Sequence, residues 1–343
     1  MKRLLNSLFV TTPEAYLTLD DENVVVKCSD KEIARFPLIT LESIISFTYA
    51  GASPALMGAC ATRGISLSFC SPNGRFLARS CGEANGNVLL RRTQYRLADM
   101  PGKSCEIAKA MIFGKVHNSR WSIDRTLRDH RMRVDSSKLE RATQNLQSTL
   151  PSILETSNLE SLRGLEGEAA SVYFGAFDEM ILKSKNDFFF HRRNRRPPLD
   201  NVNAMLSFVY SLLRRDCAAA LESVGLDSYV GFLHQDRPGR SSLALDLMEE
   251  LRPCFADRFV LTVINTGVIN ADDFEKRESG AILLGDKGRK KILSAWQERK
   301  REILTHPFLK EKMHWGLVPH IQALLLARYL RGDLEGYPPF LWK

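Results

Sequence analysis

The chain has 343 residues, 44% hydrophobic and 26% charged, the balance of a water-soluble globular protein long enough for two domains. Its net charge of +8 favours an anionic partner, and no apolar run of about 18 residues offers a membrane-spanning helix. The seven cysteines are odd in number with no C-x-x-C pair, and the start MKRLLNSLFV lacks the apolar core of a signal peptide. A cytoplasmic chain with reduced core cysteines is therefore expected, not a disulfide frame or a zinc site.

The first quarter reads as strands. Residues 15–19 and 23–27 flank an acidic Asp20-Asp21-Glu22 turn, the pattern of a hairpin, and 33–38 and 43–49 continue it. Ser53-Pro54 opens a short helix, with proline at the first helical position and Gly64 as its stop. A strand over 65–70, a Pro72-Asn73-Gly74 turn and a strand over 75–79 follow. Residues 1–90 carry eight Lys/Arg and eight Asp/Glu, so the whole positive excess lies in 91–343. A phosphate-binding surface is expected mainly there.

After Gly86 the apolar period becomes helical. Helices are predicted over 87–99, 104–129, 137–150, 158–182, 201–223, 241–256, 271–278, 288–302 and 313–331. No βαβ alternation appears, which excludes a doubly wound sheet. The expected class is α+β: a β-rich domain over 1–86, then a larger all-α-helical domain over 87–343.

Three stretches carry possible chemistry. On the helix over 158–182, Glu166 shares a face with Ala170, Tyr173 and Phe177, whereas Glu168 lies with Ser171 and Asp178. A carboxylate on a mostly apolar face is costly unless it is paired or bound to a metal. A salt bridge to a core-edge arginine is the commoner explanation of such a residue. Next, Phe188-Phe189-Phe190-His191 runs into Arg192, Arg193, Arg195 and Arg196 before a proline pair. Arginine forks match phosphate geometry and exposed aromatic rings stack on bases; a basic loop anchored by a buried phenylalanine is the plainer alternative.

The third stretch is Gly231 to Pro253. His234 precedes a loop bearing Arg237 and Arg240, and the helix that follows is capped by Ser241 or Ser242. Asp246 and Glu249, three residues apart, share a face of that helix. Helical angle alone does not separate Glu249 from Glu250. One imidazole and two carboxylates suit a divalent cation, Mg²⁺ or Mn²⁺, with the imidazole favouring Mn²⁺ at least equally. A solvated acidic face beside a stray histidine is the alternative. The basic runs Lys287–Lys291 and Arg299–Arg301 read as solvated faces, and His117, His130, His306, His314 and His320 as structural.

Taken together, GLEGEAASVYF, RRPPLDNVNAMLSFVYSLL and GFLHQDRPGRSSLALDLMEELRP resemble the three core motifs of the CRISPR-associated integrase family, the Cas-one proteins of spacer acquisition. The N-terminal ISLSFCSPNGRFLARSCG and GNVLLRRTQY resemble it too, with the texture of the type I-C branch. The resemblance implies a β-domain that dimerises and a helical catalytic domain. It implies metal ligands at Glu166, His234 and Glu249, with Asp246 as a further acidic position near the metal. Many members have aspartate where Glu249 stands.

The same resemblance implies a metal-dependent DNA endonuclease and integrase that inserts captured fragments into a CRISPR array. Two of its homodimers would sandwich a dimer of the small partner Cas-two in a heterohexamer. Arg192, Arg193, Arg195, Arg196, Arg237 and Arg240 are the DNA-binding candidates on charge and position. The rival readings are a non-catalytic basic DNA-binding scaffold and a general repair nuclease.

Overall fold

Alternation in Tyr16-Leu17-Thr18-Leu19 and the β-branched run Val24-Val25-Val26 build the hairpin that the pattern predicts. In the computed structural model, which describes residues 7–41, 43–71, 76–80, 82 and 88–343, strand β1 (Ser7–Val10) precedes β2 (Tyr16–Asp20) and β3 (Asn23–Cys28). The latter two pair antiparallel, with Asp20 opposite Asn23 across the acidic turn. Strand β4 (Lys31–Pro37) completes a three-stranded sheet.

A second sheet contains β1, β5 (Ser43–Ser46), β6 (Ser66–Cys70) and β7 (Phe76–Ser80) in that order. Its β1–β5 and β5–β6 pairs are parallel, a pairing the strand pattern alone did not reveal. Helix α1 (Pro54–Arg63) begins as predicted: Ser53 Oγ accepts from the Leu56 N–H at 3.2 Å, and Gly64 ends the helix at φ +68°. Val10, Leu17, Val24, Leu38, Ile44, Leu56 and Leu67 form one buried cluster, so both sheets and α1 share a core. The expected Pro72-Asn73-Gly74 turn lies outside the described residues.

The helical part follows in order: α2 (Val88–Ala98), α3 (Pro101–His130), α4 (Ser136–Glu155), α5 (Leu159–Ala176), α6 (Asn201–Ser223), α7 (Ser242–Glu249) and α8 (Arg258–Asn265). Three predicted helices change character. The one over 241–256 stops at α7; Arg252–Asp257 then winds as a π-helical segment, because Pro253 offers no N–H to a regular α-helical ladder.

The helix over 271–278 is a single 3₁₀ turn, Ala271–Asp273, closed by a reciprocal Asn270–Asp273 capping box. Beyond it β8 (Phe274–Lys276) pairs with β9 (Ile282–Leu284). After α9 (Asp286–Arg301), the segment predicted as 313–331 divides. Strand β10 (Ile303–Thr305) pairs with β11 (Lys312–His314), and α10 (Val318–Leu330) starts only at Val318, where Pro319 is favoured in a first turn.

The chain separates into two compact units, Met1–Asn85 with Gly285–Glu302, and Gly86–Leu284 with Ile303–Lys343. Helix α9 thus belongs with the β-rich unit, although the sequence reading grouped it with the helical domain. Its buried Ile292, Leu293 and Trp296 form an apolar stripe at helical spacing, which has to be covered wherever the chain carries it. No helix among the described residues is long and apolar enough to cross a membrane.

Candidate catalytic site and metal-ligand set

Every residue of the candidate site lies in the helical unit. Asn158 caps α5 by accepting from the Glu160 and Ser161 N–H groups at 2.7 and 3.2 Å, which fixes the helix that carries Glu166. Tyr173, two turns on, is buried on the Glu166 side, and Glu168 is exposed on the other, as the helical angle requires. From α3, Lys115 reaches across so that its ammonium contacts Glu166 Oε1 and stands 2.7 Å from Glu249 Oε2. The sequence predicts a metal ion or a salt bridge to an arginine at Glu166; in the structure the partner is a lysine instead.

His234 and Asp246 form a second local unit. Asp246 is fully buried at the middle of α7, yet its carboxylate is saturated. It accepts from the Phe232, Leu233 and His234 backbone N–H groups at 2.6, 2.9 and 3.0 Å, and from His234 Nδ1 at 2.5 Å. An aspartate that accepts from Nδ1 assigns the proton to that nitrogen and leaves Nε2 as a lone-pair donor. Nε2 stands 3.9 Å from Glu249 Oε1. Asp246 therefore orients the histidine, and its oxygens are turned away from the space between Glu166 and Glu249.

This folding of the loop onto α7 needs Gly231. A β-carbon there would lie 2.8 Å from Asp246 Oδ2 and 2.8 Å from Ser242 Cβ. Arg163 of α5 completes the clamp by donating to the Leu233 carbonyl at 2.8 Å, one residue before the histidine. The turn after His234 uses Gly239 at φ +75°, and Ser242 Oγ donates to the Gln235 carbonyl at 3.1 Å.

Glu249 is 3% exposed. Burial by itself pushes its carboxyl up, but Arg252, then Lys115 and His234, outweigh burial and hold it down at about 2. Arg252 pairs with Glu249 Oε1 at 2.8 Å and lies over the Tyr210 ring, 5.2 Å from its centroid. The Tyr210 hydroxyl donates to Asp257 Oδ1 at 2.6 Å. Glu250 points elsewhere. It accepts from Gln322 Nε2, the Tyr337 hydroxyl and the Phe340 N–H at 2.8, 2.6 and 2.9 Å. The two neighbours that helical angle could not separate are thus separated by their partners.

Among the described residues no three His, Cys, Asp or Glu side chains stand as a ready-made metal cluster. Lys115 occupies the gap between the two glutamates. The donor set nonetheless fits a hard or borderline divalent ion: two carboxylates and one imidazole with its Nε2 lone pair available. Glu249 Oε2 is a buried oxygen whose partner is the Lys115 ammonium at 2.7 Å.

The arginine candidates divide. Arg192, Arg195, Arg196 and Arg237 are exposed. Arg240 is partly buried; burial first, then the guanidinium of Arg237 and, beyond the raising effect of Asp246, those of Arg195 and Arg196 push it below the usual arginine range. Two loops some 40 residues apart in sequence thus crowd positive charge together. Arg193 is committed inward instead. It donates to Asn203 Oδ1 and the Asn194 carbonyl at 2.6 Å each and to Ser207 Oγ at 3.1 Å, and lies 5.4 Å from the Tyr210 ring centroid. Phe188 and Phe190 are buried, leaving Phe189 39% exposed beside His191.

Lys115, Arg163 and Arg252 were not singled out from the sequence. Lys115 had a readable signal, since it follows Met111 and Ile112 at helical spacing on an apolar face of α3. Arg163 and Arg252 had none; a single arginine beside a glutamate is ordinary helix-surface chemistry.

An N-terminal β-rich unit followed by a helical unit is a fold shared with known proteins. A solved casposase bound to integration product superposes with a TM-score of 0.83, at 23% identity over 99% of this chain and 95% of that one. A chain of a Cas6-RT-Cas1–Cas2 complex superposes with a TM-score of 0.80, at 25% identity over 100% of this chain and 36% of that one. The family described as CRISPR associated protein Cas1 matches residues 8–298, and the chain belongs to it. CRISPR-associated endonuclease Cas1 1 of Chlorobaculum tepidum is 47% identical over 343 residues, the whole of both chains.

Proposed function

We propose that this protein is a metal-dependent DNA endonuclease and integrase that inserts captured DNA fragments into a CRISPR array. The observation that carries this reading is the meeting of Glu166, His234 and Glu249 from α5, a loop and α7 at one spot, beside a crowded arginine patch. The Chlorobaculum tepidum relative is named an endonuclease, which supports the hydrolytic half.

In the reaction, the 3′-oxygen of a captured fragment attacks a phosphorus at the repeat end. A new P–O bond forms, the bond to the leaving 3′-oxygen breaks, and the proton of the attacking hydroxyl passes to solvent while the leaving oxygen takes one up. Water in the place of the hydroxyl gives cleavage. Glu166, Glu249 and His234 Nε2 would hold Mg²⁺ or Mn²⁺, which when bound stabilises charge on the phosphate and the exchanging oxygens.

Asp246 keeps the imidazole in the tautomer that can ligate. Arg163 keeps the loop against α5. Arg192, Arg195, Arg196, Arg237 and Arg240 draw in and hold the DNA backbone, while Arg193 keeps their loop in shape. A Cas2 dimer between two homodimers, as a heterohexamer, is the proposed assembly, in keeping with the solved Cas6-RT-Cas1–Cas2 complex. Ile33, Phe36 and Ile39, exposed on and after the edge strand β4, support dimerisation through the β-rich unit.

The test is strand transfer of a short duplex into a repeat-bearing plasmid with the Cas2 partner and Mn²⁺, beside cleavage of branched DNA. Transfer that disappears in Glu166→Ala and His234→Ala is the expected result. Cleavage and transfer both indifferent to these substitutions would remove the proposed site.

A further inference from the structure

We propose that Lys115 is the resident cation of the Glu166–Glu249 pocket, its ammonium standing between the two carboxylates until a divalent ion displaces it. The inference rests on the metal reading of the site and extends it. Two buried or half-buried carboxylates that face one another repel strongly in a medium of low dielectric, so some cation has to separate them when no metal is bound. Lys115 does so, contacting Glu166 Oε1 and approaching Glu249 Oε2 at 2.7 Å with its side chain 11% exposed. Its charge sits where an ion shared by both glutamates would sit.

The other cation of the pocket is built differently. Arg252 is pinned, with Glu249 Oε1 at 2.8 Å on one side and the Tyr210 ring on the other, and Tyr210 is itself tied to Asp257. A planar guanidinium in such a slot cannot withdraw without breaking the slot. A lysine is a point charge on a flexible four-carbon stem and can.

Charge balance points the same way. Glu166 and Glu249 against Lys115 and Arg252 leave the pocket neutral. A divalent ion replacing the ammonium leaves one net positive charge; a divalent ion added beside the ammonium would leave two. Displacement is therefore the less costly outcome, and the flexible lysine gives up its place to the ion.

The first experiment needs no variant. Amine acetylation of the wild-type protein, read at Lys115 by peptide mass spectrometry, is compared in EDTA and in Mn²⁺. The labelling rate is expected to rise several-fold with Mn²⁺; an unchanged or slower rate overturns the proposal. The second is Mn²⁺ binding by calorimetry to wild type, Lys115→Met and Glu166→Gln. Loss of the competing charge is expected to tighten Mn²⁺ binding about tenfold in Lys115→Met, and equal or weaker binding overturns the proposal. Binding lost in Glu166→Gln with Lys115 labelling indifferent to Mn²⁺ removes the displacement alone. No Mn²⁺ binding by wild type or Lys115→Met removes the metal reading and the displacement with it.

Discussion

Glu249 and Glu250 are neighbours in sequence at the end of α7, both almost fully buried, and their carboxyls are driven in opposite directions. Burial pushes both up. At Glu249 the cations of Arg252 and Lys115 win and the group is held at about 2, charged at every physiological pH. At Glu250 burial wins over neutral donors, Tyr337 and Gln322 among them, and the carboxyl is pushed up to about 7. Helix α3 divides along the same line. Gly114 lets it approach Glu250, since a β-carbon there would lie 3.0 Å from Glu250 Cβ and 3.1 Å from Pro339 Cβ. Lys115, the next residue, serves Glu249. Adjacent positions on each helix thus separate a charged pocket suited to a cation from a neutral anchor for the C-terminal segment. Partners, not burial, decide which buried carboxylate is available for chemistry.

The largest effect that would break this contrast is loss of the charged side. Glu249→Ala or Glu166→Ala is expected to lower Mn²⁺-dependent DNA cleavage by about a thousandfold or more, measured on branched DNA with circular dichroism to confirm the fold. Glu250→Gln, by contrast, should leave cleavage per folded molecule near wild type.

The neutral side should show itself in stability. A carboxyl raised from the ordinary 4.5 to about 7 in the folded state contributes stability that is full below pH 4.5 and lost as pH rises through about 7. Urea unfolding should therefore weaken between those values by on the order of 3 kcal/mol at most. Glu250→Gln should flatten that stretch of the profile; an identical profile would mean that Glu250 is not the neutral partner of Tyr337 and Gln322.

Asp246 tests the histidine's orientation. Asp246→Asn removes the negative charge and replaces one of the two oxygens that accept from His234 and its loop with an NH2 donor, and Mn²⁺ affinity by calorimetry is expected to fall roughly 10- to 100-fold while the backbone hydrogen bonds partly survive. The smallest effect concerns the arginines. Replacing Arg192, Arg195 and Arg196 together should lower the salt slope of DNA binding by roughly 2 to 3. Arg193→Ala should leave the slope unchanged and lower the melting temperature by a few degrees, about 1 kcal/mol of loop stability. A slope reduced by Arg193→Ala would place that side chain on the DNA after all.

Much of the fold was legible because it follows from local rules. The hairpin around Asp20-Asp21-Glu22, the capped helix from Ser53 to Gly64 and the helical angle that turns Glu166 inward depend on residues a few positions apart. Where prediction failed, the deciding partner was distant or the backbone lost an expected donor. Phe274–Lys276 is a strand because Ile282–Leu284 pairs with it, and the helix after Glu249 changes pitch because Pro253 has no N–H to give. Helix α9 carries an apolar stripe that says it must be covered; which unit covers it is not written in the stripe.

The sequence by itself determined the α+β class through local pattern, and its resemblance to the Cas1 family supplied the family and the three side chains proposed as ligands. Tertiary structure alone decided what stands among them. Lys115 comes from a helix 51 residues before Glu166, Arg252 is fixed by a tyrosine, and Asp246 faces the loop, not the pocket. Charges act through space, over a few ångströms and with a strength set by burial. The Glu166–Lys115–Glu249 pocket therefore appears only when three segments distant in the chain are packed against one another.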